Sequence, residues 1–136
     1  INSNCHFPPW SANSNPAYLL RTLHQYACIQ QCYELIENYE KQYNILFDWV
    51  VRVRTDMVYF EGIMPYCLHD EYAIENGLFD RLNIVPRKYA DIRFKLLHHY
   101  QSLNGTYHYM NAEGLLYGIL GLHNITIREV SIFLGV

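Results

Sequence analysis

Glycine and proline are scarce, seven and five of 136 residues, and neither occurs between Pro16 and Gly62. With nothing to interrupt it, one long helix is predicted from Pro16, with Asn15 as its cap and Pro16 as a favourable first helical residue. Charge is scarce too. Charged residues make up 17% of the chain against 51% hydrophobic ones, a balance that excludes a disordered polar tail and indicates a packed core. Ten basic residues against thirteen acidic ones leave a formal charge of -3. No basic stripe offsets that balance, so a nucleic-acid surface is excluded and any anionic ligand has to be met by local cations. No apolar run is long enough to span a membrane, and no signal peptide is visible. The four cysteines fit neither a disulfide framework nor a paired zinc signature. Cys28 and Cys32, four apart on the predicted helix, are expected to be buried thiols that hold no metal.

Tyrosine is abundant, at 13 residues, and supplies apolar area with a hydrogen-bonding tip. Residues 1–15, with Pro8-Pro9-Trp10 and several Asn and Ser, read as an irregular arm. Residues 16–136 read as a single α/β domain. Along the long helix Cys28, Cys32, Leu35, Tyr39 and Tyr43 recur every three or four residues, widened by Leu20, Leu23, Ala27 and Ile36, and are expected to face the sheet. Glu34, Glu37, Glu40 and Lys41 are expected on the solvated side, with Glu37 and Lys41 paired. Residues 61–71 read as a solvated loop in which His69, beside Asp70 and Glu71, carries no function. Tyr72-Ala73-Ile74 predicts a short strand, Asn76-Gly77 a turn, and Leu82-Asn83-Ile84-Val85 a second strand ending at Pro86. A helix over 87–100 is expected to bury Tyr89, Ile92, Leu96 and Tyr100. Its end carries His98 and His99, which suit a negative helix terminus when protonated. Asn111 can cap a further helix running to about Leu120, with Glu113 in its first turn, and Ile125 to Val130 alternates as a last strand. The order of elements indicates an α/β fold with a mixed sheet and flanking helices. Asn104-Gly105-Thr106 and Asn124-Ile125-Thr126 have the form of glycosylation acceptors, so a Golgi or secretory lumen and the cytoplasm both remain compatible with the chain.

The stretch from Phe47 to Asp56 is the longest β-branched and aromatic run. Side chains alternate along a strand, so Trp49, Val51 and Val53 share one face while Val50, Arg52, Arg54 and Asp56 share the other. Two cations and an anion thus emerge together at the carboxyl end of what reads as a central strand, the end at which open α/β sheets bind ligands. The expectation is a crevice for an anionic ligand. The competing reading is a salt-bridge ladder of arginine and aspartate.

An aromatic residue, Asp48-Trp49, two valines and Arg52-Val53-Arg54-Thr55-Asp56 resemble a segment of GT-A-like glycosyltransferases of the kind found in algal, fungal and large-virus genomes, where it occupies the position of the Asp-x-Asp motif. Gly77-Leu78-Phe79-Asp80-Arg81 and Asn111-Ala112-Glu113 are similar to later segments of such proteins. The match spans roughly residues 20 to 125, in order. It implies a GT-A-like domain that is incomplete at its N-terminus, because nothing before the first helix looks like the nucleotide-binding strands and the chain begins at Ile1.

The resemblance implies transfer of a sugar from a nucleotide-sugar donor to a glycan or protein acceptor. Arg52, Arg54 and Asp56 would hold the donor diphosphate, since a guanidinium stays charged and grips phosphate oxygens in a bidentate way. Asp80 is the candidate general base, with Glu113 a weaker catalytic candidate. A divalent cation, Mn or Mg, would be held with the diphosphate, with Asp56 its ligand from this motif. Arg54 stands where a first metal-binding Asp would be, so the donor phosphates would carry most of that ion. The alternative is a non-catalytic sugar- or nucleotide-binding module of the same fold.

Overall fold

In the computed structural model of the chain the described residues are 16–54, 58–59, 62–77, 81–102, 112–130 and 134–135. The expected arm over residues 1–15 lies outside them. The first element is the long helix α1, Pro16–Tyr43. It stops where Asn44 turns left-handed (φ 51°) and the Ile45 N–H bonds back to the Glu40 carbonyl at 3.1 Å, which satisfies one of the carbonyls a helix end leaves open. After it come β1 (Trp49–Val53), β2 (Val58–Tyr59), a 3₁₀ turn (Tyr66–Leu68), β3 (Ala73–Gly77) and β4 (Leu82–Pro86). The helices α2 (Arg87–Phe94), α3 (Leu96–Ser102) and α4 (Ala112–Leu122) follow, and β5 (Thr126–Val130) and β6 (Leu134–Gly135) complete the chain.

Four strands form a mixed sheet in the order β1-β4-β3-β5. β4 is antiparallel to both β1 and β3, and β5 runs parallel to β3. β2 and β6 pair as a separate antiparallel ribbon. The fold is therefore α/β with flanking helices, as expected. β1, however, is an edge strand of the described sheet, not a central one. Only Val50 of β1 is buried, while Val51 and Val53 are 43% and 47% exposed.

Register sorts the sheet into two faces. Val50 lies opposite Val85, and Ile74 opposite Ile127. These residues join Leu23, Tyr26 and Tyr33 of α1, Ala90 and Phe94 of α2, Leu96, and four apolar residues of α4 in one core. All four helices thus contribute to a layer over one sheet face. Burying each large side chain contributes about 1.5–3 kcal/mol.

The helical faces differ from those expected. On α1 the buried line runs through Leu23, Tyr26, Tyr33 and Glu40, with Ile29 and Ile36 packed beside it. Cys28 and Cys32 are exposed free thiols, and Leu35 is 69% exposed. The helix is turned by about one residue, roughly 100°. Apolar side chains occur all round α1, so polar partners decide the face: Tyr33 bonds Asp91, Glu40 bonds Arg87, and Glu37 bonds Lys95 at 2.7 Å. Glu37 pairs across helices rather than with Lys41, and Glu40 is not solvated.

The predicted helix over 87–100 is split at Lys95, which sits outside helical geometry (φ -101°, ψ 36°). Leu96 is buried as expected, while Ala90, Arg93 and Phe94 are buried one position from Tyr89 and Ile92, which pack only partly buried against the core. Asn76 and Gly77 lie inside β3 and are buried. The connection between β3 and β4 therefore falls after Gly77, later than the Asn-Gly signal implies.

Candidate functional site

Beyond the valine and isoleucine row, the helix-covered face turns polar. Arg52 lies opposite Asn83, and Asn83 opposite Asn76. Asn83 is fully buried and Asn76 nearly so. A buried amide needs its hydrogen bonds made, and Asn83 makes four. Its Nδ2 donates to Asn76 Oδ1 at 2.8 Å and to the Leu82 carbonyl at 2.9 Å. Its Oδ1 accepts from Arg93 Nη2 at 2.5 Å and from Arg52 Nη1 at 3.3 Å. Arg93 comes from α2, is 2% exposed, and stacks its guanidinium 5.5 Å from the Phe94 ring. Asn76 Nδ2 is buried with no hydrogen-bond acceptor.

One step further along the strands, the Arg54 N–H bonds the Arg81 carbonyl at 3.0 Å, which continues the register and sets Arg54 opposite Arg81. Arg52, Arg54 and Arg81 are half-buried, and none of the four arginines is without a partner. Like charges opposite one another weaken a sheet. Three guanidiniums lie at one strand end with a fourth behind, an arrangement whose chemistry suits an anion. β1, β3 and β5 run the same way, so this is the carboxyl end of all three.

Arg52 and Arg54 are thus brought together on one face. Asp56 and Asp80 lie outside the described residues. Glu113 falls in the first turn of α4, and its side chain lies outside them too. Among the described residues no group of three or more His, Cys, Asp or Glu is placed to hold a metal ion, and no helix is long and apolar enough to cross a membrane. Arg93, Asn83 and Asn76 are residues of the site that the reading of the sequence misses. An Asn inside the otherwise apolar Leu82-Asn83-Ile84-Val85 run was the available signal, since a strand buried on both faces admits an amide only where partners await it.

The amino end of β1 carries a second polar assembly. Arg87, the first residue of α2, gives Nε to Glu40 Oε1 at 2.9 Å and Nη2 to Glu40 Oε2 at 2.8 Å. Glu40 Oε1 also takes the Phe47 N–H at 3.1 Å, which ties the end of α1 to the entry of β1. The Arg87 hydrogen bonds, against the opposing effect of burial, hold the Glu40 carboxyl below its usual range. Asp91 bonds Arg87 Nη1 at 3.1 Å and accepts the Tyr33 hydroxyl. Burial would raise its pKa, but Tyr33, Lys95 and Arg87 outweigh that and keep it low. Burial, with Asp91 beside it, pushes the Tyr33 phenol far up.

His69 is likewise not a solvated loop residue. Its Nδ1 lies 2.6 Å from Glu75 Oε2, with both side chains under 10% exposed, and its Nε2 lies 3.0 Å from the Met64 carbonyl. Glu75 also accepts the Asp70 N–H at 3.2 Å, so the loop before β3 is pinned to the sheet face opposite the helices. On the helix side, a cavity of about 340 Å³ separates α1 from β1 and is lined by Cys28, Cys32, Ile36 and Val51 among others.

The family model described as "Domain of unknown function (DUF7796)" matches residues 6–135, and the chain belongs to that family. Comparison with curated proteins and comparison with solved structures each find no match.

Proposed function

We propose that the protein is a glycosyltransferase of GT-A-like fold that moves a sugar from a nucleotide-sugar donor to a glycan or other hydroxyl acceptor. The observation that carries this reading is the arginine group at the carboxyl end of β1. Arg52 and Arg54 face one way, Arg81 lies beside Arg54, and Arg93 stands behind them through Asn83. A departing nucleoside diphosphate gains charge as the glycosidic bond breaks, and preorganised guanidiniums stabilise that charge most where it grows. Arg52 and Arg54 hold the diphosphate, and Asp56, on chain position, meets a divalent ion or the donor's hydroxyls. Asp80 serves as the base for the acceptor hydroxyl, and Glu113 is a secondary candidate.

The test is slow donor hydrolysis. The protein is incubated with UDP- and GDP-sugars and Mn or Mg, and free sugar is measured. Arg54→Ala is expected to lower kcat at least as much as it raises KM, because its charge matters most in the transition state. Nucleotide binding without any sugar release identifies a binding module instead. An altered KM at constant kcat reassigns Arg54 to ground-state binding.

A further inference from the structure

A cleft of about 820 Å³ opens at the amino end of β1, and its walls include Phe47, Trp49 and Tyr66 beside Asp48, Glu71 and Lys88. It is distinct from the arginine group. Trp49 and Arg54 are five residues apart, about 16 Å along an extended strand, and their side chains alternate to opposite faces. Its volume lies within the roughly 300–1,000 Å³ of ligand pockets.

Two of the rings are braced by their neighbours. Phe47 stacks on Tyr39 (6.0 Å, 18°), which in turn packs on Tyr43 at 4.5 Å. The Phe47 backbone is held by Glu40. Trp49 rests 5.9 Å from the His69 ring, itself held by Glu75 and Met64. Tyr66 stands 72% exposed on its turn. Aromatic surface gathered at a concave, partly open site and rimmed by polar residues marks a place where something binds.

The polar groups at the rim define what that is. Arg87, Asp91 and His69 are committed to the bonds described above. Asp48 and Glu71 are exposed, and no hydrogen bond or ion pair to another described residue engages their carboxylates. Lys88 sits over the Tyr72 ring at 4.1 Å. Two free carboxylates disfavour a phosphorylated ligand. Acceptor-only oxygens next to aromatic planes suit a ligand with apolar C–H faces and hydroxyl edges, since each carboxylate accepts from more than one hydroxyl.

We infer that this cleft binds a neutral oligosaccharide. Phe47, Trp49 and Tyr66 are its stacking platforms, and Asp48 and Glu71 accept its hydroxyls. The site needs neither donor nor turnover, so it stands or falls separately from the transferase reading.

The test uses the full chain with Trp10→Phe, which leaves Trp49 as the only tryptophan. Fluorescence is titrated with cellohexaose, mannohexaose, xylohexaose and chitohexaose. A second arm uses a neutral high-mannose glycopeptide and separates a free glycan from a protein-linked one. At least one ligand is expected to saturate the signal with Kd below roughly 1 mM. Tyr66→Ala and Glu71→Gln, both at exposed positions, are expected to weaken it at least tenfold, whereas Arg54→Ala leaves it unchanged. The inference is overturned if no saccharide in either arm saturates, if binding survives Tyr66→Ala and Glu71→Gln, or if UDP displaces the sugar.

Discussion

Replacing Glu40 by Gln separates charge from shape at a joint that ties α1, β1 and α2 together. Glu40 is 5% exposed and accepts Arg87 Nε, Arg87 Nη2 and the Phe47 N–H. Gln keeps one acceptor oxygen and turns an NH₂ toward a guanidinium N–H now 2.8 Å from Oε2. A hydrogen bond to a charged group is worth about 1.5–3 kcal/mol, and breaking a buried pair costs about 3–5 kcal/mol. Arg87 retains Asp91 and the Tyr33 ring at 5.4 Å, so the expected loss is about 3 kcal/mol, or a fall in Tm of roughly 10 °C for a chain of this length. The pH dependence has a definite sign. The Glu40 carboxyl lies below its ordinary value of 4.5 in the fold, so its contribution is complete above that value and is lost as pH falls through the depressed one. Urea melts followed by circular dichroism at pH 7 and pH 3.5 are the assay. A loss under 1 kcal/mol at pH 7, or a gap between the proteins as large at pH 3.5 as at pH 7, refutes the reasoning.

Three further outcomes are expected. Asn83→Asp places a carboxylate between Arg52 and Arg93, and rotation of the Asn76 amide hands it the spare Nδ2. The fold should survive by thermal melt while pyrophosphate binding by calorimetry falls at least tenfold, and unchanged binding would remove the arginine group from the ligand site. Burial, then His123 and His98, hold the His99 imidazole below its ordinary 6.5. The unfolded chain therefore binds more protons as pH drops below 6.5 and stability declines there; His99→Gln should flatten that part of the profile, and an unaltered slope assigns it to other groups. Manganese titrated into donor-free protein should show no micromolar binding, because Arg52, Arg54 and Arg81 repel a dication by several kcal/mol at about 4 Å and an effective dielectric near 20. Micromolar binding abolished by Asp56→Asn contradicts this.

Where covalent constraints dominate, the chain announces itself. Pro16 and the absence of Gly or Pro place α1, Pro86 ends β4, and the valines from Val50 to Val53 mark β1. Where long-range partners dominate, local pattern misleads. Glu40 looks solvated on a helical wheel, and only Arg87, forty-seven residues later, draws it inward. His69 reads as a loop histidine until Glu75 closes over it. Arg93 is a cation in an amphipathic helix, and its burial follows from an amide on β4. The pairing of Arg52 with Arg54 follows from alternation alone. The addition of Arg81 needs the β1 and β4 register, which no local pattern encodes.

The exposed edge of β1 gives its arginines another consequence. Among the described strands β1 is paired on one side only, with Val51 and Val53 open to solvent, the profile of a strand that recruits a second copy. A second β1 laid antiparallel about Val53 would set Arg52 against Arg54 twice over, an arrangement that disfavours such pairing. An alanine at Arg54 would therefore remove a charge from the open strand edge as well as from the proposed diphosphate site. A loss of the proposed turnover in that variant would be attributable to the site only in samples that light scattering shows to be monomeric.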